Sequence, residues 1–378
     1  MSFTFVHTAD WQIGKSFGRF ADDVAVQLRA ARLDAIDRLA ALARGAGAGH
    51  VLVAGDVFDS ELIDDAGLRQ PLGRMSVYPD LRWHLLPGNH DPARPGGVWA
   101  RLPGLGLPAN VVPYLVPVAS EIEPGVVLLP APLTAKEMRG DPTLWMDSAE
   151  SPAGVLRIGM AHGSVRGFGS LGEASVPIEP GRRNSAGLDY LALGDWHGSK
   201  EIAPGVWYSG TPEPDSFREN GPGYALVVSL PGPGAAAEVR TAATSAYTWI
   251  ERRALLARLA DVEPVEAEVA ALGPGRPRHV VALALEGVIG ASESALLDGR
   301  LAQLAAVLLA LDVDRRRLRV RVGADDVARF DDPALSAVAG RLRQLAGEGD
   351  TPDGRIAARA MRLLLALGTE PSEAEART

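Results

Sequence analysis

The chain of 378 residues contains no cysteine. That absence excludes disulfides and thiolate metal sites, and it is compatible with the cytoplasm. No stretch reaches ~18 uninterrupted apolar residues, so no transmembrane helix and no membrane partner are expected. The opening "MSFTFVHTAD" lacks a basic region followed by a long apolar run, so no signal peptide is expected and the expected location is cytoplasmic. A positive balance is missing as well, the formal net charge being −9. A protein that only coats nucleic acid is ordinarily basic, so strong DNA affinity by this chain alone is not expected. A nuclease is not excluded, because divalent metals bring positive charge to the place where phosphate docks. Lysine is scarce beside arginine, which reads as genomic composition. What is present is core material: 47% hydrophobic against 22% charged residues marks a globular chain, and its length suggests two or three domains.

Short apolar runs alternate with turn signals through the first 230 or so residues. "FTFVHTAD" (3–10) reads as a strand ending at Asp10, and 21–44 carries apolar positions at helical spacing with Gly45 as a stop. "HVLVAGDVFD" (50–59) and "RWHLLPGNHD" (82–91) read as buried strands, followed by strands in 126–132, 155–163, 190–198, 206–214 and 224–230. The pattern predicts a layered α/β domain with mixed sheets flanked by helices, over 1–232. "PGPGAAAEV" (231–239) reads as a loop. A smaller α/β unit is expected over 240–325, with strands at 279–286 and 317–322 around a helix at 292–311. One or two helices are expected within 326–367, and the polar tail 368–378 is expected to be disordered.

Five pieces place metal-capable residues just past an apolar strand. They are Asp10 and Gln12 in "ADWQ", Asp56 and Asp59 in "GDVFD", Asn89, His90 and Asp91 in "GNHD", His162 in "MAHG", and Asp195 and His197 in "GDWHG". Taken singly, each has an ordinary reading as a turn or a core histidine. Jointly they point elsewhere, since ligands of α/β sheets bind outside the carboxyl ends of the strands. Hard oxygens with imidazoles and no sulfur suit Mn²⁺, Fe²⁺ or Zn²⁺. About eight donors can hold two metals bridged by one carboxylate, a device for attacking phosphate esters.

In that order these motifs resemble the calcineurin-like metallophosphoesterases. Within them, "FVHTADWQIGK", "VLVAGDVFDS", "LPGNHDP" and "LALGDWHG" are most similar to the SbcD-type DNA repair exonuclease branch, as is "YSGTPEPDSFRENGPGYALV" (208–227). The resemblance covers roughly 3–230. It implies Asp10, Asp56 and His197 at one metal, and Asp56, Asn89 and His162 at the other. It implies His90 as the acid that protonates the leaving alkoxide, held by Asp91, with Asp59 holding the loop and His7 structural. Gln12 and Asp195 stand where the family usually has histidine. Both keep a donor atom, and oxygen in place of nitrogen favours Mn²⁺ or Mg²⁺ over Zn²⁺, with Fe²⁺ also accommodated. An inactive site would more often have lost its ligands to apolar residues.

The activity implied is metal-dependent cleavage of DNA, as exonuclease or endonuclease, with little base preference. Lys15, Arg19, Arg94, Arg101, Arg166, Arg182 and Arg183 are candidate backbone contacts, and "RGFGSLGE" (166–173) a candidate channel border. The alternatives are a small-molecule phosphodiesterase or phosphatase, and a non-catalytic subunit that binds DNA ends or an ATPase. The resemblance further implies an SbcC-like coiled-coil ATPase as partner, docked on the C-terminal helices, and a homodimer.

Overall fold

The computed structural model describes residues 2–168, 176–217, 221–347 and 351–367. The chain divides into two compact units, Met1–Tyr247 and Thr248–Thr378. The strands of the first are β1 (Phe3–Thr8), β2 (His50–Val53), β3 (Arg82–Leu85), β4 (Val111–Pro113), β5 (Ser120–Glu123), β6 (Val126–Ala131) and β7 (Leu156–His162). They continue as β8 (Ser164–Val165), β9 (Pro177–Ile178), β10 (Tyr190–Gly194), β11 (Lys200–Ala203), β12 (Val206–Tyr208), β13 (Tyr224–Leu230) and β14 (Glu238–Ala243).

Two six-stranded mixed sheets result, ordered β14-β13-β1-β2-β3-β4 and β11-β12-β10-β7-β6-β5. β1 to β4 run parallel, and so do β6, β7, β10 and β12. Strands covered on both faces need continuous apolar runs, and β2 is buried at every residue. Phe5, Leu52 and Val228 from one sheet and Leu128, Ile158 and Met160 from the other share one core cluster. The outer face of the first sheet packs Val6, Val51 and Val53 against Ile36 and Leu39 of the helix Asp22–Gly45 and Leu68 and Leu72 of the helix Asp65–Ser76. This is the layered α/β fold expected.

The sheets are also joined by a polar chain at the start of β2. His50 Nδ1 lies 2.9 Å from His84 Nε2, His84 Nδ1 lies 2.8 Å from the Tyr114 hydroxyl, and His50 Nε2 lies 3.0 Å from Glu123 Oε1 on β5. The first sheet extends past residue 232, because β14 continues it as an edge strand paired with β13.

In the second unit β15 (Thr248–Leu256), β16 (His279–Gly290) and β17 (Ala310–Arg321) form a parallel sheet in that order. The helices Glu263–Ala271 and Ala291–Val307 connect the strands and share their core. Two helices follow, Pro333–Ala346 and Pro352–Leu367. Residues 368–378 and most of the Gly-rich 166–173 stretch lie outside the described residues. Among those described, no helix is long and apolar enough to cross a membrane.

Candidate metal centre

The ligand-capable residues of the five pieces sit at or just past a strand end: after β1, β2, β3 and β10, and, for His162, on the last residue of β7. The loops after β1 and β2 are zipped together through the backbone: Asp10 N donates to Gly55 O (3.0 Å), Gln12 N to Asp56 O (2.9 Å) and Ile13 N to Val57 O (2.9 Å). The turns needed for this are sharp. Among the described residues five non-glycine positions have positive φ, and four of them are Asp10 (55°), Gln12 (44°), Asp56 (52°) and Asp195 (101°). Most side chains tolerate that region poorly, asparagine and aspartate being the best suited to it after glycine. Two glycines clear the space behind the ligand-capable groups. A Cβ on Gly55 would overlap the His162 ring, and one on Gly88 would overlap the Asp56 carboxylate and its amide.

Asp10, Asp56 and His162 form the tight group: one donor atom of each lies within 4.8 Å of the others, and all three residues are buried. His162 Nδ1 donates to the Ala54 carbonyl at 2.9 Å. That fixes the ring and turns Nε2 inward, 3.5 Å from Asp56 Oδ1, 3.2 Å from Asn89 Oδ1 and 4.0 Å from Asp195 Oδ1. Asp195 sits at the rim, its second oxygen accepting from Ser164 Oγ at 2.6 Å and its own amide donating to Asp10 Oδ2 at 3.2 Å.

The electrostatics express crowding of negative charge. Burial pushes the Asp10 carboxyl up to about 6; His197 and His162 lower it, while Asp56 and Asp195 raise it. Burial works to lower the His162 pKa, but the carboxylates of Asp56, Asp10 and Asp195 override it and bring the imidazole up to about 9. Without a metal, a proton on Nε2 is what faces those oxygens. Carboxylate and amide oxygens with one imidazole suit a divalent cation, so Asp10, Asp56, Asn89 and His162 fit such an ion.

The other expected cation position is built differently. Lys15 Nζ donates to Gln12 Oε1 at 3.0 Å and to Asp215 Oδ2 at 2.7 Å. The Gln12 amide nitrogen then lies 3.4 Å from His197 Nε2, and His197 Nδ1 donates to Asp215 Oδ1 at 3.1 Å. Gln12 therefore does not present its oxygen as a ligand, contrary to the sequence expectation; a lysine three residues on has taken it. The residues on this side do not fit a second cation.

Asp215 is the partner that the sequence reading missed. Burial would raise its carboxyl, but the hydrogen bond from His197 and the charges of Arg32 and Lys15 hold it well below the usual range. Its loop is docked by Thr211 Oγ1, which donates to Asp10 O at 2.8 Å, and by buried Arg32, which donates to Trp11 O, Glu213 O and Asp10 O at 2.7, 2.9 and 3.0 Å.

His90 and Asp91 part company. His90 N donates to Asp56 Oδ1 at 2.9 Å, and His90 Nδ1 donates to the Asp59 carbonyl at 2.9 Å. This leaves Nε2, on a side chain 38% exposed, 3.9 Å from Asp56 Oδ2. Asp91 is fully buried and accepts from Phe58 N (2.9 Å) and Gly88 N (2.6 Å). The Asp59 carbonyl, not Asp91, orients His90; Asp91 clamps the two turns that carry Asp56 and Asn89. His7 is structural, bound by the Tyr190 hydroxyl (3.0 Å) and facing the Leu193 carbonyl (3.2 Å).

The candidate backbone-contact cations are already engaged. Lys15 pairs with Asp215, Arg94 with Glu61, Arg101 with Asp65 and Arg166 with Glu179. Arg182 is buried against Asp141 and Asp147, Arg183 donates to the Asp189 carbonyl, and Arg19 lies over the Phe20 and Phe217 rings.

The fold and this cluster are those of a metal-dependent phosphoesterase. The sequence pattern of the calcineurin-like phosphoesterase family matches residues 3–199, 197 of the chain's 378. The chain belongs to that family, whose members hydrolyse phosphoesters with divalent metals. Among solved structures it is similar to TT1561 of Thermus thermophilus, at 12% identity and a TM-score of 0.42, covering 65% of this chain and 100% of that one. That likeness carries no argument about function. Comparison with curated proteins found no match.

Proposed function

We propose that the chain is a metal-dependent phosphodiesterase acting on DNA, as a repair nuclease of the SbcD type. The observation that carries the chemistry is the buried Asp10–Asp56–His162 group, with donor atoms within 4.8 Å of one another. The substrate class rests on the likeness of the five motifs to that branch and on the further unit from Thr248 onward.

Asp10, Asp56, Asn89 and His162 would hold the ion, and the oxygen-rich set favours Mn²⁺ or Mg²⁺. When bound, a divalent ion supplies Lewis-acid polarisation of the phosphoryl group. The chain does the rest. The Asp59 carbonyl fixes the His90 ring through Nδ1, which leaves Nε2 turned to the site and placed to pass a proton to a departing alkoxide. Asp56 fixes the His90 backbone in turn. Ser164 and Asp195 border the opening with polar groups. We propose as partner a coiled-coil ATPase of the SbcC type, received on the C-terminal helices, where Val338, Ile356 and Leu363 are 51, 66 and 52% exposed. A homodimer belongs to the same reading.

A second reading, a small-molecule phosphodiesterase, is favoured by one observation: five of the seven candidate cations are paired with acids rather than open to a backbone. The experiment compares linear duplex DNA, single-stranded DNA, bis-p-nitrophenyl phosphate and cyclic AMP, each with Mn²⁺. The expected result is DNA cleavage that is lost with EDTA and in Asp56→Ala. Intact DNA beside rapid cyclic AMP hydrolysis overturns the DNA reading in favour of the second.

A further inference from the structure

The side of the centre lined by Gln12 and His197 holds a donor where a ligand was expected. Lys15 settles this. Its ammonium is compact, positive and only partly exposed, and it is held from two directions, by Asp215 Oδ2 at 2.7 Å and by Gln12 Oε1 at 3.0 Å, with Asp59 Oδ1 at 3.6 Å. An ammonium has only donors, so the Gln12 atom it meets must be the oxygen. The amide NH₂ is thereby turned toward His197 Nε2, 3.4 Å away. The other His197 nitrogen faces the Asp215 carboxylate, so that atom carries the proton and Nε2 accepts from Gln12. A cation placed between Gln12 and His197 would meet an N–H and an imidazole lone pair already in use, with a fixed positive charge behind them.

We propose that this centre loads a single divalent cation, on Asp10, Asp56, Asn89 and His162, and that Lys15, acting through Gln12, closes the second position with its own charge. The inference rests on the metallophosphoesterase reading and narrows it. Lys15 is a positioning residue: it sets the amide of Gln12 and shares Asp215 with His197. The two carboxylates nearest the single ion, Asp10 and Asp56, are then not divided between two metals. Charge that a second metal would contribute is supplied in part by the chain itself.

The test is metal stoichiometry on the full chain. Protein stripped with EDTA is titrated with Mn²⁺ by calorimetry, its bound metal is counted by mass spectrometry, and its Mn²⁺ electron paramagnetic resonance is recorded. The wild type is expected to hold about one ion per chain with no spin coupling. The double variant Gln12→His with Lys15→Met restores an imidazole and removes the charge. It is expected to hold two ions, with an exchange-coupled signal and a gain in affinity for the second of about 10- to 100-fold. Two spin-coupled ions in the wild type overturn the proposal without any variant being needed. A folded double variant that still holds one ion overturns the role given to Lys15 and Gln12. A wild type that binds no Mn²⁺ removes the functional reading along with this inference.

Discussion

Replacing Asp10 by asparagine will stabilise the metal-free protein while abolishing its response to metal. Burial pushes this carboxyl up to about 6, with His197 and His162 opposing and Asp56 and Asp195 adding to the rise. The sign follows from linkage. A folded-state pKa above the unfolded 3.8 gives stability that is complete below about 3.8 and lost as the pH rises through about 6. At pH 8 the whole difference of about 2 units applies, or about 3 kcal/mol at ~1.4 kcal/mol per unit. Asparagine never carries that charge. It also fits the site: it tolerates the positive φ of 55°, and its amide oxygen can still accept from Asp195 N. Urea unfolding followed by tryptophan fluorescence, in EDTA at pH 8, should therefore show the variant more stable by about 1–3 kcal/mol with an unchanged slope. Adding Mn²⁺ at about 100 times its Kd should stabilise the wild type by ~2.7 kcal/mol and leave the variant where it was. A variant less stable than the wild type in EDTA would refute the reasoning, because crowded, cation-seeking carboxylates would then not be what strains the empty site.

Three other outcomes are expected. His90→Asn should leave Mn²⁺ affinity unchanged and lower kcat by about 10²- to 10⁴-fold; turnover at the wild-type rate would remove His90 from proton transfer. Gly88→Ala places a Cβ into the Asp56 carboxylate, so loss of Mn²⁺ binding and about 1–3 kcal/mol of stability are expected, and wild-type calorimetry would contradict the close approach. Burial, with the charges of His50 and Arg82, lowers the His84 pKa from 6.5 to about 3. Between those values the unfolded chain takes up a proton that the native one refuses, so His84 lowers stability by ~1.4 kcal/mol per unit as the pH falls. His84→Phe lacks this term and leaves the Tyr114 hydroxyl and His50 Nδ1 without their partner, so it starts about 1–3 kcal/mol lower at pH 7 and closes on the wild type by pH ~4.5; parallel curves would overturn that account.

What the sequence showed, and what it hid, divides by range of interaction. The strand ends were legible because buried parallel strands leave mostly apolar runs that stop at a polar turn, as β2 and β7 do. β15 was not. Its sequence "TWIERRALL" interrupts the apolar pattern with Glu251, Arg252 and Arg253, three charged residues exposed on an edge strand. Within the site, Asp10, Asp56 and His162 announced themselves by spacing, whereas Asp215 lies in a loop without ligand pattern and is recruited across 200 residues by Lys15. The role first given to Asp91 failed for a related reason. The resemblance implied that Asp91 holds His90, but Asp91 points inward to Phe58 N and Gly88 N, and the Asp59 carbonyl meets His90 instead. The arginines could not be sorted from the sequence, because an exposed cation and one buried against Asp141 and Asp147, as Arg182 is, look alike in one dimension.

Two kinds of unfavourable energy meet at one place in this molecule. Four non-glycine residues there hold positive φ, at about 1–3 kcal/mol each. Asp10 is buried with two further carboxylates acting on it. Gly55 and Gly88 let these groups approach, since a Cβ on either would overlap the His162 ring or the Asp56 carboxylate. Neither the backbone strain nor the buried charge helps the chain to fold, and a sequence shaped for stability alone would relax both by single substitutions. They are coherent only if the state being stabilised includes a positive ion among Asp10, Asp56 and His162. An ion held there would turn the repulsion into attraction, with the carboxylate oxygens and His162 as the groups that would hold it. On the neighbouring side, where Lys15 already supplies a charge, Gln12 and His197 are bonded to their neighbours and no such crowding of carboxylates is found among the described residues. The distribution of strain therefore separates the two sides of the centre as sharply as the hydrogen bonds do.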